Sequence, residues 1–559
     1  MTAGDDRTYD AHGESSAGTV PTSDMVVVAN RLPVDRSVDR EGRVTWSPSP
    51  GGLVTALRPV LESSQGSWVG WPGATADSPE EEVHVSDLPE MDGGISLVPV
   101  NITTSEFQTY YEGFSNDTLW PLYHDLIVHP EFHRSWWRAY RTVNERFARA
   151  AAEAAAPGAT VWVQDYQLHL VPGLLRELRP DLKIGFFLHI PFPAPELFRQ
   201  LPWRWDVLQG TLGADLIGLH TPDSAWNFLY TLRALGGDVT FAKVGEGDAC
   251  GADGEGTFTD DGAAGTDESG VSYIRGARLP RRDAVAGTVR TEDGREVKVG
   301  VFPISIDTEG VQSKATAPET VSAASALRRR VGSPKILLAG VDRLDYTKGI
   351  HQRLKALEQL LSQGLLNPDE VCLIQVATPS RERLDSYART REDVERTVSR
   401  INGAYGSLGH TVVHYSHASM PFAQLVSLYA AADVMLVTAL KDGMNLVAKE
   451  YVASHSDGSG ALVLSEFTGA ATQLPNAYLC NPYDVESTAA AIMKAIDSPD
   501  DDKQARMQEM WEEVRSHDVH GWARRFLAVL DPGVLDGADP DTGVGTDSDP
   551  DSDAGTVDE

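Results

Sequence analysis

Residues 434–450, VMLVTALKDGMNLVAKE, are an apolar run followed by a glycine turn and the start of a helical segment. A strand buried on both faces that leads through a turn into a helix is the repeating unit of a parallel α/β sheet. Gly443 would let a ligand approach the backbone, and the free N–H groups of the first helical turn would face an anion such as a diphosphate. Asp442 and Glu450 accept hydrogen bonds, which indicates a ligand that also carries hydroxyl groups, as a nucleotide-sugar does. The alternative is an ordinary strand–helix turn with a capping aspartate.

A second segment, residues 336–350, ILLAGVDRLDYTKGI, repeats the pattern of a buried strand that ends in polar residues. Ligands collect at the carboxyl ends of the strands in open parallel sheets. Arg343 can bind a phosphate in a bidentate way and Lys348 adds a compact charge, so together they could neutralise a diphosphate. The alternative is a solvated loop in which both cations are paired to Asp342 and Asp345.

Further apolar runs alternate with helical segments and predict an α/β fold with two Rossmann-like domains that face each other across a cleft. The predicted strands are 25–29, 161–163, 184–188, 216–219, 335–341, 371–377, 412–415, 433–438 and 462–464. The predicted organisation is a disordered tail (1–24), an N-terminal domain (25–304) with an acidic insertion (244–270), a C-terminal domain with closing helices (305–530) and an acidic disordered tail (531–559).

The net charge of −33 is unevenly distributed. The tail from 531 to 559 holds ten acidic residues and the insertion from 244 to 270 holds eight, and neither contains a lysine or an arginine. Both segments are too poor in apolar residues to order themselves. The remaining body is moderately acidic, which argues against binding to nucleic acid or to an anionic membrane.

The first 24 residues lack the basic and apolar regions of a secretory signal, and no apolar run is long enough to span a membrane. The three cysteines, Cys250, Cys372 and Cys480, have neither zinc nor disulfide spacing. We therefore expect a cytoplasmic protein. The sequence leaves homo-oligomerisation open.

Seven motifs together resemble those of the trehalose-6-phosphate synthases, which are retaining glycosyltransferases of family 20 with two Rossmann-like domains (the GT-B fold). The resemblance covers about residues 25 to 530. The motifs are Asn30-Arg31-Leu32-Pro33, Gly51-Gly52-Leu53, 110–116, 119–121, 189–193, 342–349 and 442–447.

The resemblance implies a role for each motif. The catalytic residues would be Arg343, Lys348, Asp442 and His189. The nucleotide-glucose donor would be bound by Gly51, Gly52, Arg343, Lys348, Met420, Asp442, Asn445, Leu446, Val447, Ala448, Lys449 and Glu450. The acceptor, glucose 6-phosphate, would be bound by Arg31, Tyr111, Asp165 and Arg381, and the selection of its α anomer would fall to Trp120 and Ile190. This chain has Gln164-Asp165-Tyr166-Gln167 where the family often has His-Asp-Tyr-His, and Lys441 where arginine is common.

The implied reaction needs no cofactor and no metal. Arg343 and Lys348 would stabilise the charge on the leaving phosphate, and no side chain acts as a general base because the departing phosphate can deprotonate the acceptor hydroxyl. No Asp-X-Asp constellation on a loop indicates a metal site.

Two alternatives stay open at the level of sequence. The first is a synthase that uses another phosphorylated acceptor, such as a glucosylglycerol-phosphate synthase. The second is a catalytically silent relative that only binds sugar phosphates, although such a protein would be expected to lose some of Arg343, Lys348, Asp442 and Glu450. The donor is expected to be UDP-glucose, but the sequence does not separate UDP-, GDP- and ADP-glucose.

Overall fold

The computed structural model of the protein describes residues 22–38, 41, 43–49, 54, 57–58, 61–62, 64–242, 265–266, 272–273 and 282–534. Gly51 and Gly52, both predicted to bind the donor, lie outside these residues, and so do most of the acidic insertion and the acidic tail.

The N-terminal half of the chain forms a nine-stranded sheet in the order β5-β4-β1-β6-β7-β8-β13-β12-β9. Pairing is parallel from β5 to β13, and β12 adds antiparallel to β13 and to β9. The strands are β1 Ser23–Arg31, β4 Ser67–Trp71, β5 Ser96–Pro99, β6 Ala155–Gln164, β7 Lys183–Phe187, β8 Leu216–Leu219, β9 Asp238–Phe241, β12 Ala284–Arg290 and β13 Glu296–Val301. Two short hairpins complete this half, β2 Val34–Val38 with β3 Val44–Pro48, and β10 Gly265–Thr266 with β11 Ser272–Tyr273.

The C-terminal half forms a six-stranded, wholly parallel sheet in the order β16-β15-β14-β17-β18-β19. Its central strands are apolar and buried on both faces because helices cover both sides. The strands are β14 Ile336–Arg343, β15 Val371–Thr378, β16 Val413–Ser416, β17 Val434–Val437, β18 Ala461–Ser465 and β19 Tyr478–Cys480.

Sixteen α-helices with described bounds connect and cover the strands. A 13-residue π-helix, Phe107–Leu119, lies between two of them and carries the motif residues 110–116. The α-helices are α1 Thr104–Glu106, α2 Trp120–Tyr123, α3 Arg134–Ala154, α4 Val171–Leu178, α5 Pro195–Phe198, α6 Arg204–Thr211, α7 Pro222–Ala234, α8 Thr308–Thr316, α9 Pro318–Arg330, α10 Ile350–Ser362, α11 Asp385–Tyr405, α12 Phe422–Ala431, α13 Leu446–Ser454, α14 Val485–Asp497, α15 Asp500–Ser516 and α16 Val519–Leu530. None of the helices described is both long and apolar enough to cross a membrane.

The last helix, α16, returns to the first sheet. The ring of Phe526 stacks on Trp162 of β6 with centroids 4.5 Å apart, and the indole N–H of Trp522 donates to the carbonyl oxygen of Phe302. Asp531, just beyond the helix, accepts hydrogen bonds from Thr160 and Lys183. The sequence assigns this helix to the C-terminal domain, whereas these contacts are with the N-terminal sheet.

The nine predicted strands are all present, and their ends differ from the predicted ones by six residues or fewer. Short or half-exposed strands were missed, because their periodicity is too brief to distinguish them from loops. The first sheet is parallel except at one edge, where the antiparallel strands β12 and β9 flank the acidic insertion.

Candidate active site

The carboxyl ends of the two sheets face each other across a cleft, and two polar contacts join them. Lys441, just after β17, places its Nζ 2.9 Å from a carboxylate oxygen of Asp125 in the N-terminal half. Arg381, after β15, donates from Nη2 to the hydroxyl of Tyr166 at 3.0 Å. The strand ends that carry the predicted donor and acceptor motifs therefore lie opposite each other.

Gly443 has a different role from the predicted one. A Cβ at this position would lie 2.7 Å from the carbonyl oxygen of His189 and 3.1 Å from the Cα of Ile190, so only glycine fits. The close approach predicted for a ligand is instead made by the opposite domain. Ile190 is buried beneath this contact, which fixes the backbone of the acceptor motif against the donor turn.

The predicted donor cation Lys348 is paired inside the site. Its Nζ lies 2.5 Å from Oδ2 of Asp442, and the side-chain amide of Asn445 donates to the same oxygen at 3.1 Å. Burial alone would raise the pKa of Asp442, but the charge and hydrogen bond of Lys348 outweigh it and lower that pKa below its usual value. Asp442 is therefore an ionised carboxylate, and Lys348 keeps two N–H groups for a ligand.

The alternative in which Asp342 and Asp345 pair with Arg343 and Lys348 is wrong. Asp342 pairs with the buried guanidinium of Arg353 at 2.7 Å. Asp345 instead accepts a hydrogen bond from the Tyr387 hydroxyl at 2.9 Å. Arg343 is exposed, and its guanidinium carbon lies over the indole ring of Trp120, 5.3 Å from the centroid. It is therefore positioned at the cleft as the resemblance requires of a phosphate ligand.

The predicted donor clamp lies at the start of helix α13. Asn445 adopts φ 84°, a conformation uncommon for a residue with a side chain, and its Oδ1 accepts from the N–H of Ala448. That bond occupies the Ala448 N–H, which was predicted to bind the donor. Leu446 and Val447 occupy the first turn, where N–H groups have no intrahelical carbonyl to bond.

Of the remaining predicted donor residues, Glu450 and Met420 are half-buried, whereas the side chain of Lys449 is bonded within the protein. Glu450 is half-buried and accepts a hydrogen bond from the Tyr429 hydroxyl at 2.8 Å through Oε2, and burial raises its pKa. Met420 is half-buried beside the core. The side chain of Lys449, in contrast, donates to the Ile304 carbonyl at 2.6 Å and to Gln473, so the prediction that it binds the donor is wrong for this side chain.

Trp120 forms the floor between the two predicted subsites. Two guanidinium groups contact its indole ring. The guanidinium carbon of Arg343 lies 5.3 Å from the ring centroid and that of Arg381 lies 4.0 Å from it. The ring is buried and is supported by His124, whose imidazole lies 4.1 Å away and whose pKa burial lowers to about 4. Trp120 caps the end of the π-helix, because its backbone N–H donates to the carbonyl oxygen of Ser115.

Asp165 lies at the end of β6 in a strained conformation, with φ 74°. Its Oδ1 accepts from the N–H groups of Tyr166 and His189, and burial raises its pKa to about 6 in spite of those bonds. Asp165 thus does cap the short helix that follows, and its second oxygen is available to a sugar hydroxyl. The ring of His189 bonds to Gln164 at 2.9 Å, and burial lowers the pKa of this histidine well below its usual value.

Arg31 and Tyr111 lie beside a shared aromatic residue. The guanidinium of Arg31 is half-exposed, pairs with Asp35 at 3.0 Å and lies 5.0 Å from the ring centroid of Trp71. The ring of Tyr111 lies 6.1 Å from the same indole. Both residues are thereby positioned on the acceptor side, with Arg31 held by an exposed and therefore weak ion pair.

Sequence reasoning missed several residues that shape the site. They are His124, Asp125, Tyr166 and Tyr387. The ion pair that Lys441 makes across the cleft was also missed. Tyr166 accepts from Arg381 and donates to Asn116 at 2.7 Å, so it joins the two halves. The pairs Tyr166–Arg381 and Asp125–Lys441 connect segments more than 200 residues apart, and no local pattern encodes them.

Two parallel α/β sheets whose carboxyl ends meet over a cationic, aromatic cleft define a two-domain glycosyltransferase of the GT-B class. The model of glycosyltransferase family 20 matches residues 23–531. The chain belongs to glycosyltransferase family 20.

Individual relatives agree with this assignment. The chain is 50% identical over 513 residues to the trehalose-6-phosphate synthase of Mycobacterium bovis, which covers 92% of this chain and 95% of that protein. It is also similar to the solved structure of an α,α-trehalose-phosphate synthase (UDP-forming) from Burkholderia xenovorans in complex with glucose-6-phosphate, with 29% identity, a TM-score of 0.75 and coverage of 90% and 99%. A third match is the E. coli protein bound with UDP-2-fluoro glucose, with 30% identity, a TM-score of 0.73 and coverage of 90% and 98%.

Proposed function

We propose that the protein transfers glucose from UDP-glucose to glucose 6-phosphate with retention of configuration, giving α,α-trehalose 6-phosphate and UDP. The observation that carries this proposal is the pair of guanidinium groups on one indole ring. Arg343 from the donor motif and Arg381 from the acceptor side both lie over Trp120, at 5.3 Å and 4.0 Å. Two cations on one apolar floor suit two phosphorylated substrates that must meet.

The relatives supply the identity of the two substrates. The Burkholderia xenovorans structure holds glucose-6-phosphate and the E. coli structure holds UDP-2-fluoro glucose. The 50% identity to the M. bovis enzyme extends over nearly the full length of both chains. We transfer both substrates to this chain on that basis.

The site suggests how the transfer proceeds. The bond between glucose C1 and the UDP oxygen breaks while the acceptor O1 bonds to C1 on the same face, and the acceptor proton passes to the departing phosphate. Arg343 and Lys348 stabilise the charge on that phosphate, and the ionised Asp442 holds hydroxyls of the transferred glucose. Glu450 holds the ribose, and His189, neutral because of its burial, faces the transferred sugar.

The acceptor is bound from the other side. Arg31, Tyr111 and Arg381 take its phosphate, and Asp165 takes its hydroxyls. Trp120 and Ile190 select the α anomer by the shape of the pocket. One buried aromatic and one buried aliphatic side chain at the base of a polar pocket favour one orientation of the sugar ring over another.

Transfer without a metal and a cytoplasmic location belong to the same proposal. The two protein cations can do the electrostatic work of a divalent ion. A nucleotide-sugar and a sugar phosphate are both intracellular metabolites, which supports the location. Homo-oligomerisation stays a prediction.

The alternatives make different predictions for the same residues. A silent relative would be expected to lack part of the donor machinery, whereas Arg343, Lys348, Asp442 and Glu450 are all present. A synthase with a smaller acceptor would have less use for a second guanidinium beside Tyr111 and Asp165. The first observation argues against a silent relative, and the second favours a hexose phosphate acceptor.

The test is product analysis with purified protein. We expect UDP release from UDP-glucose only when glucose 6-phosphate is added, with an α,α-linked product by NMR and unchanged rates in EDTA. GDP- and ADP-glucose and glycerol 3-phosphate serve as competing donors and acceptor. Faster transfer to glycerol 3-phosphate would replace the proposed acceptor, and rates that require added magnesium would contradict the metal-free reaction.

A further inference from the structure

The guanidinium of Arg381 is held by a buried relay from its own domain. Its Nη1 donates to the hydroxyl of Tyr387 at 2.5 Å, and that hydroxyl donates to Oδ2 of Asp345 at 2.9 Å. Arg381 Nη1 also makes a long direct contact with Asp345 Oδ2 at 3.5 Å, so the shorter bonds between the two charges run through the tyrosine. The Arg381 side chain is 5% exposed and that of Asp345 is fully buried.

The opposite edge of the same guanidinium faces the acceptor pocket. Nη2 donates to the Tyr166 hydroxyl at 3.0 Å, and the guanidinium plane lies over Trp120. Arg381 itself adopts φ 48°, a conformation that costs energy for a residue with a side chain and persists only where surrounding contacts fix it. With Nη1 held by the relay, Nη2 is the terminal nitrogen on the side of Tyr166 and Trp120, and it carries a second N–H beyond the one given to Tyr166.

Asp345 is ionised in this arrangement. Burial alone would raise its pKa, but the charges of Arg381, Arg343 and Lys348 outweigh burial and lower that pKa below its usual value. Its other oxygen, Oδ1, accepts from the N–H of Thr347 and so orders the turn that carries Lys348. One carboxylate therefore contacts the donor turn and, through Tyr387, the acceptor arginine.

We propose that Tyr387 and Asp345 are positioning residues that aim the Arg381 guanidinium at the acceptor phosphate, with Asp345 also ordering the donor turn. The proposal rests on the proposed function, because it takes Arg381 as a ligand of glucose 6-phosphate. Without the tyrosine hydroxyl, the guanidinium can shorten its direct 3.5 Å contact with Asp345 and so move away from the cleft. The two residues should then differ in effect, since Tyr387 serves only the acceptor side and Asp345 serves both.

The chain offers a matched control for a tyrosine-to-phenylalanine change. The ring of Tyr346 lies 5.4 Å from that of Tyr387, and the Tyr346 hydroxyl is buried with no hydrogen-bond partner among the residues described. Tyr346→Phe therefore removes the same atom from the same cluster without touching the relay. Any effect of general loosening should appear in both variants.

The experiment compares wild type, Tyr387→Phe, Tyr346→Phe and Asp345→Asn in the full-length protein. For Tyr387→Phe we expect the KM for glucose 6-phosphate to rise about tenfold, the size of one charge-assisted hydrogen bond, with the KM for UDP-glucose unchanged. Tyr346→Phe should keep both values. Asp345→Asn should raise both. Calorimetric titration of glucose 6-phosphate gives the binding change independently of turnover, and thermal melts identify a variant that fails to fold.

Each outcome decides the relay separately from the function. If wild type transfers glucose and Tyr387→Phe keeps its acceptor KM, the relay is wrong and the function stands. If Tyr387→Phe and Tyr346→Phe lose acceptor affinity equally, the effect is packing and the relay is again wrong. If wild type binds glucose 6-phosphate without transferring glucose, the titrations still test the relay. If it does neither, Arg381 holds no sugar phosphate and both proposals fail.

Discussion

The donor side and the acceptor side of the cleft are built in different ways. The described donor residues come from one half of the chain, and Lys348, Asp442 and Asn445 bond to one another within it. The acceptor residues come from both halves, because Arg381 follows β15 while Trp120 and Asp165 belong to the N-terminal half. The described donor residues lie within one domain, whereas the acceptor side exists only where the two domains meet.

Charge is also handled differently on the two sides. The donor pair Lys348 and Asp442 is buried, so each partner needs the other to remain charged there. On the acceptor side, Arg31 pairs with Asp35 at a half-exposed position, and such pairs contribute about 1 kcal/mol or less. Arg31 can therefore exchange its internal partner for a phosphate at little cost. We expect changes at the buried donor pair to affect turnover and acceptor-side changes to affect binding.

The largest effect is expected for Asp442→Asn. Positive charge develops on the transferred glucose in the transition state, so loss of the carboxylate should lower kcat by roughly 100-fold while the acceptor KM changes little. The amide also leaves the buried Lys348 amine without its anion, which should lower the unfolding temperature. Initial rates with both substrates varied, together with thermal melts, measure the two effects.

Lys441→Met is the matched control, because it removes the neighbouring ion pair with Asp125, whose partners are partly exposed. Its kcat should fall far less. An Asp442→Asn enzyme with normal turnover would remove the donor-side assignment.

Arg31→Ala should be the next largest. We expect the KM for glucose 6-phosphate to rise about ten- to a hundredfold, the value of a charge-assisted bond to phosphate, with donor binding unchanged. The exposed Arg36, in the adjacent strand β2, gives the control Arg36→Ala, which should leave both constants alone. Separate titrations of the two ligands distinguish these cases. Equal losses for donor and acceptor would show that Arg31 is on the wrong side of the comparison.

Glu450→Gln sharpens the comparison within the donor side. Ribose contacts are much alike in the ground and transition states, so the substitution should raise the UDP-glucose KM about tenfold and leave kcat nearly unchanged. Tyr429→Phe keeps the carboxylate while removing its internal donor, and should not raise the donor KM to the same extent. A fall in kcat at constant KM would place Glu450 at the reacting sugar instead of the ribose.

The same contrast explains what could be predicted from the sequence. The strands β14 and β17 are buried apolar runs that lead into polar motifs, so both the second sheet and the donor turns were predicted from local pattern. The clamp residues Asp442, Asn445 and Glu450 follow one another on a single turn and helix. Local pattern was less informative about Gly443, whose neighbour is the backbone of His189, 254 residues earlier in the chain.

The acceptor side could be predicted only through the family resemblance. Neither the π-helix that Trp120 caps nor the positive φ of Arg381 can be read from residue propensities or from hydrophobic periodicity, because tertiary contacts impose both conformations. Lys449 illustrates the opposite error. Its place in the clamp motif suggested a ligand contact, but its side chain points to the Ile304 carbonyl between the halves.

The smallest expected effect is a pH dependence of acceptor binding that belongs to Asp165. Burial raises its pKa to about 6, so the carboxylate that we propose to bind sugar hydroxyls protonates just below neutral pH. If only the ionised form binds, the KM for glucose 6-phosphate should rise about fourfold between pH 7 and pH 5.5. The sugar phosphate itself titrates near pH 6, so Asp165→Asn supplies the ligand's share, and the difference between the two profiles is the contribution of Asp165. Loss of fold cannot produce this difference: because the folded pKa lies above the unfolded value of 3.8, the stabilisation from protonated Asp165 is present in acid and is lost as the pH rises through about 6. Parallel profiles for wild type and Asp165→Asn would show that Asp165 does not hold the acceptor, and would leave the acceptor side without its buried carboxylate.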